Sequence, residues 1–100
     1  MQLHLSVDGG FAPVPGLRKP VTVDVDHLPP HQASEAKRLL DASQFWSQPA
    51  ALPPPSTGAA DYREYTITAE SGDRQHTVKV PEIGAPAELL ELIDWILAQR

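Results

Sequence analysis

Four segments of this sequence alternate apolar and polar residues, and this alternation constrains the fold more than any other feature. The segments are Gln2 to Asp8, Val21 to Val25, Tyr62 to Glu70 and Arg74 to Val80. Successive side chains of a strand point to opposite faces, so each segment has the pattern of a strand with one buried face. Ser71-Gly72-Asp73 contains the glycine that a tight hairpin turn favours. The sequence therefore predicts two antiparallel hairpins.

A helical pattern follows each predicted hairpin. Leu28-Pro29-Pro30 opens the first helix, because proline is accepted in a first turn, and we expect this helix to end near Ser43. Pro86 begins the second helix, whose wide apolar face must be well buried. The predicted fold is α+β, with an antiparallel four-stranded sheet built from two hairpins, in the order β-β-α-β-β-α, packed against two helices.

The length and the proline content predict how the chain is organised. One hundred residues suffice for one hydrophobic core, so we expect a single domain over residues 1–100. Residues 48–61 are rich in proline and alanine, which predicts a semi-rigid surface loop within that domain. The chain contains no cysteine, so packing alone must hold the fold together.

Charge and composition exclude several classes of partner. Eight basic residues against 13 acidic ones give a net charge of −5, without a basic stripe to bind nucleic acid or an anionic membrane. The sequence has neither a signal-peptide pattern nor an apolar run long enough to span a bilayer. These features predict a cytoplasmic protein, although an export route that leaves no mark in the sequence stays open.

The motifs of known catalytic sites are absent. The sequence has no His-Glu-x-x-His, no glycine-rich phosphate loop and no Gly-x-Ser-x-Gly, so we predict that the protein is not an enzyme. His27 and His31 have a spacing that two metal ligands can adopt on a helix, but two prolines lie between them and no third ligand is evident. We therefore expect no cofactor and no metal of its own.

One segment does not suit an ordinary hairpin connection, because it is long, apolar and stiffened by two prolines. Its residues 9–16 include Gly9, Gly10, Phe11, Ala12, Pro13, Val14 and Pro15. Two interpretations are open. The apolar side chains could fold back as a satellite of the core, or they could anchor a partner protein on a loop that proline has already ordered. If the two hairpins lie in register in one sheet, this segment and the turn at residues 71–73 emerge at the same end.

Several motifs of the chain, in this order and spacing, resemble the emfourin family. They are Asp8-Gly9-Gly10-Phe11-Ala12, Asp26-His27-Leu28-Pro29, Tyr62 to Thr68, Gly72, Arg74-Gln75-His76-Thr77-Val78 and Leu92-Ile93-Asp94-Trp95-Ile96. The resemblance covers almost the whole chain. It implies a small bacterial inhibitor of a thermolysin-like zinc metalloprotease, often a protealysin-like enzyme, and we expect it to be a monomer when free.

An inhibitor of this kind can occupy the open coordination position of the protease zinc with a carboxylate. We expect Asp73 to provide this carboxylate beside the protease-binding residues 9–15, with Asp8 as the alternative. A different function for the same segment is also open. A protein-interaction module without inhibitory activity would use the apolar segment to bind another partner.

Overall fold

The computed structural model describes residues 1–9, 20–53 and 63–99. In these ranges the strands are β1 (Gln2–Gly9), β2 (Val21–Asp24), β3 (Arg63–Ser71) and β4 (Arg74–Pro81), and the helices are α1 (Pro30–Ala42) and α2 (Ala87–Leu97). Short 3-10 turns at Val25–His27 and Phe45–Ser47 flank α1. The predicted α+β class, with a four-stranded antiparallel sheet and two helices, is confirmed.

The sheet is antiparallel, with the strands in the spatial order β2-β1-β3-β4. The two longest strands, β1 and β3, are central and pair from Gln2 opposite Glu70 to Gly9 opposite Arg63. β2 has only four residues and follows Pro20, which cannot donate a hydrogen bond to a neighbouring strand. Its place at the edge of the sheet is therefore the one that its sequence tolerates best.

The core lies between one face of the sheet and the two helices. From the sheet it receives the alternating apolar side chains, among them Leu3 and Leu5 opposite Ala69 and Ile67. From α2 it receives Leu89, Leu92, Ile93 and Ile96, each no more than 1% exposed. These four residues recur at helical spacing and produce the deep burial that the wide apolar face predicts.

Phe45 and Trp46 close the end of α1 against the sheet, as their apolar character predicts. The Phe45 ring is fully buried and meets the rings of Trp46 and His76 edge to face, with centroids 5.8 and 5.6 Å away. The His76 ring lies 2.7 Å from the carbonyl oxygen of Gln48, so this half-buried imidazole has a polar partner. The chain thus turns from α1 towards β4 around a packed aromatic cluster.

The start of the proline- and alanine-rich segment is tied to the edge of β4. The amide of Lys79 donates to the carbonyl of Ala50, and the amide of Leu52 donates back to the carbonyl of Lys79. These bonds, of 2.9 and 3.0 Å, make residues 50–52 a cover for an edge that would otherwise expose backbone polar groups. Residues 54–61 of the predicted loop lie outside the described ranges.

Candidate functional site

The predicted protease-binding segment begins at the last residue of β1. Gly9 is paired with Arg63, the first residue of β3, and these two residues define what we call the Gly9 end of the sheet. The remaining residues of the prediction, from Gly10 to Pro15, lie outside the described ranges. Asp8 precedes Gly9 and is exposed opposite Glu64. The alternative zinc-blocking carboxylate therefore lies at the base of this segment.

Asp73 lies at the other end of the molecule. It occupies the turn between β3 and β4, beside Gly72, whose φ of +60° suits a residue without a Cβ. We call the turn from Ser71 to Arg74 the Gly72 end. Eight residue steps of β3 separate Arg63 from Ser71, a span of roughly 26 Å at the usual rise of a strand.

The prediction that the two hairpin tips emerge at the same end is therefore wrong. It required the two hairpins to lie side by side with their tips pointing the same way. Instead β1 pairs with β3 in antiparallel register, so β1 ends where β3 begins and the β3–β4 turn points the opposite way. Gly9 and Asp73 therefore lie at opposite ends of the sheet.

A second connection, the turn at residues 82–86 between β4 and α2, also reaches the Gly9 end. The amide of Glu82 donates to the carbonyl of Arg63 at 2.8 Å, which extends the pairing of β3 and β4 by one step. Gly84 has a φ of +83°, a conformation that other residues adopt only with strain. Between them Ile83 is 43% exposed, the only large hydrophobic residue in the described ranges that is exposed.

Sequence reasoning missed Ile83 as a surface residue. The signal was weak, because an isoleucine after a strand is ordinarily read as the start of the next buried element. Gly84 and Pro86, which follow Ile83 in the sequence, are the residues that could have indicated an exposed turn.

The Gly72 end has a different surface. The guanidinium of Arg74 lies 4.0 Å from the centre of the Trp46 ring, a distance at which a cation and an aromatic face attract. An open groove of about 460 Å³ runs beside this pair and is bordered by Asp41 and Gln44, the latter in a left-handed conformation with a φ of 51°. This end presents a polar groove over an aromatic cluster and exposes no large apolar side chain in its described part.

The described ranges contain no group of three side chains that could hold a metal ion. Of the histidine pair considered from the sequence, His27 lies 2.6 Å from a carboxylate oxygen of Asp24, and His31 lies on the exposed first turn of α1. No helix within residues 1–9, 20–53 and 63–99 is long and apolar enough to cross a membrane.

The chain is similar to proteins of one known family. The family model of emfourin matches residues 5–97, and no curated protein matches the chain. Among solved structures, it is similar to emfourin (M4in) from Serratia proteamaculans, an M4 family peptidase inhibitor, with 24% sequence identity and a TM-score of 0.49. That similarity covers 97% of this chain and 87% of the other. The family match runs from β1 to α2.

Proposed function

Since the chain belongs to the emfourin family, we propose that it inhibits a thermolysin-like zinc metalloprotease by occupying the active-site cleft of that enzyme. The observation that carries this proposal is the family match over residues 5–97. The emfourin from Serratia proteamaculans is described as an inhibitor of M4 family peptidases, which is the same class of target. We propose a protealysin-like enzyme as the target and a monomer as the free form.

The proposed contact is the segment from Gly9 to Pro15, with Phe11 and Val14 as apolar anchors. Anchors that fill a partner's pockets carry most of the binding energy of an interface, and Pro13 and Pro15 reduce the entropy lost on binding. Proline also fixes φ and removes a main-chain donor, so these two residues would hinder cleavage of the inserted segment.

Asp8 is the carboxylate that we propose for the protease zinc. It is exposed and adjoins Gly9, whereas Asp73 lies roughly 26 Å away along β3, at the opposite end of the sheet. A thermolysin-like site holds its zinc with two histidines and a glutamate and leaves a position open for water or substrate. A carboxylate at that position would exclude the catalytic water.

The direct test is a titration of a thermolysin-like protease with the purified protein. The rate of peptide hydrolysis is measured at each step, with zinc in excess. We expect a stoichiometric loss of activity, because occupation of the cleft does not depend on removal of zinc. Loss of activity only when zinc is not in excess would instead indicate metal stripping. No inhibition of several such enzymes would contradict the proposal and would favour an interaction module that uses the same segment.

An alanine variant of Phe11 tests whether this residue contacts the protease. Replacement of Phe11 by alanine should weaken protease binding by about 1–4 kcal/mol if Phe11 is an anchor, with little change in thermal stability. The reverse result, a lower melting temperature with full inhibition, would assign Phe11 to a satellite of the core.

A further inference from the structure

We propose that the turn at residues 82–86 is a second contact for the metalloprotease, with Ile83 as its apolar anchor. This inference rests on the proposed function and adds to it a part of the chain that its predicted contact residues do not include. Three observations support it: the position of the turn, the contacts that hold both of its ends, and the exposure of Ile83.

The exposure of Ile83 would by itself be weak evidence for a binding site, because single apolar residues on a protein surface are common. In this chain, however, the large apolar side chains of the described ranges are otherwise buried or half-buried, and Ile83 at 43% is the exception. Ala85, two residues further along the same turn, packs against the core. The turn instead directs Ile83 outward.

The turn is held at both of its ends. On one side Glu82 continues the β3–β4 pairing through its 2.8 Å bond to Arg63. On the other side Ala85 contacts the core and α2 begins at Ala87. Gly84, with its φ of +83°, allows the sharp change of direction between these anchored points. The backbone of such a turn loses little conformational entropy when a partner binds it.

The turn lies beside the proposed primary contact. Gly9 pairs with Arg63, and Arg63 accepts the bond from Glu82, so the three residues lie side by side across the end of the sheet. Two strand spacings separate the outer two, which is about 10 Å. Ile83 follows Glu82 directly and therefore lies near the base of the segment that begins at Gly9.

The area that a specific interface needs supports a second contact. A stable protein–protein interface buries about 800 Å² on each partner and uses roughly 20–30 residues a side. A disc of that area has a radius of about 16 Å. Seven or eight residues of one segment are too few, so residues around its base must take part. Glu82 lies about 10 Å from Gly9, which places the neighbouring Ile83 close to that base. The partner feature that fits is an apolar pocket at the rim of the protease cleft.

The test compares inhibition constants of variants against a thermolysin-like protease that the unaltered protein inhibits. Ile83→Asp should raise the inhibition constant about tenfold, because it places a charge against an apolar pocket, whereas Ile83→Leu should stay within about twofold. Ser71→Asp adds the same charge at the Gly72 end, on an exposed residue, and should leave the constant unchanged. Melting temperatures of the three variants verify that each is folded.

Nuclear magnetic resonance provides a second readout that needs no substitution. The chain has four isoleucines, of which Ile67, Ile93 and Ile96 are buried and serve as internal references. Addition of a catalytically inactive form of the protease should shift or broaden the methyl signal of Ile83 much more than the methyl signals of the three buried isoleucines. Equal inhibition by Ile83→Asp, or an unmoved Ile83 methyl in a formed complex, would overturn this inference and leave the inhibitor function intact. Lack of inhibition by the unaltered protein would instead overturn the proposed function itself.

Discussion

The two ends of the sheet are built in opposite ways. At the Gly72 end, a tight turn joins β3 to β4, and Arg74 covers Trp46 over the buried ring of Phe45. At the Gly9 end, the last residue of β1 and the first residue of β3 lie beside the turn at residues 82–86, in which Ile83 is exposed. The first end uses its aromatic residues to complete the core. The second exposes the apolar side chain of Ile83, which is why we assign stability to one end and recognition to the other.

The largest expected effect is on stability at the Gly72 end. Phe45→Ala removes a fully buried ring that contacts Trp46 and His76, and should lower the free energy of unfolding by about 3–5 kcal/mol. Urea denaturation measures this loss. At a temperature where the variant is folded, its inhibition constant should equal that of the unaltered protein. Weaker inhibition by the folded variant would contradict the separation of the two ends.

Two carboxylates test which end meets the protease zinc. Asp8→Ala should weaken inhibition by about 1–3 kcal/mol, the range for a buried contact of a charged group, while Asp73→Ala should leave it unchanged. Both residues are exposed, so neither substitution should alter the unfolding free energy by more than about 0.5 kcal/mol. The opposite pattern, with inhibition lost only in Asp73→Ala, would assign the protease contact to the Gly72 end.

Alanine substitutions of two glycines compare the two ends of the sheet through smaller changes in the free energy of unfolding. Gly84 and Gly72 have φ values of +83° and +60°, and a Cβ added at either would meet no atom within 4 Å. Gly84→Ala and Gly72→Ala should each cost about 1–2 kcal/mol of stability, because the left-handed backbone is strained for alanine. Only Gly84→Ala should also weaken inhibition, since it alters the turn that presents Ile83. Thermal melts and inhibition assays of both variants separate these effects.

The smallest expected effect concerns an ion pair at neither end. Glu35 accepts bonds of 2.9 and 2.7 Å from the Arg38 guanidinium, and this hydrogen bonding lowers the pKa of Glu35 below its ordinary value of 4.5. The ionised form is thus favoured by folding. The stability contributed by the pair is present above pH 4.5 and is lost as the pH falls through the lowered folded-state pKa.

Glu35→Gln should therefore be slightly less stable than the unaltered protein near neutral pH and should approach it in acid. Denaturation curves at several pH values measure the difference, which is small because the pair is exposed. Inhibition should not change at any pH where both proteins are folded. A stability gap that widens in acid would contradict the assigned cause of the pKa shift.

Much of the fold could be predicted from local patterns. The alternation of Leu3 and Leu5 with polar residues indicated a strand with one buried face, and the glycine of Ser71-Gly72-Asp73 indicated the turn that follows β3. The end of α1 near Ser43 and the closing role of Phe45 and Trp46 were also predicted. Each of these features depends on neighbours a few residues away along the chain.

The candidate site was only partly predictable. The segment beginning at Gly9 was singled out because its residues contradict ordinary turn chemistry, and its residues from Gly10 onward stay a prediction. Asp73 was paired with it on the assumption that the tips of the two hairpins point the same way, whereas the antiparallel pairing of β1 with β3 points them in opposite directions. Ile83 was missed because exposure is a property of the packed chain, and Gly84 and Pro86 indicated an exposed turn only weakly.

The sequence by itself determined which residues form strands and helices, which face of each is buried, and which family the chain resembles. These properties follow from periodicity, from turn and proline chemistry, and from motifs that can be read in order. Only the tertiary structure decided that β1 pairs with β3, and hence that Gly9, Arg63 and Glu82 meet at one end with Asp73 at the other. A period of two specifies the face of a strand but not its neighbour, because strand pairing depends on contacts between residues far apart in the chain.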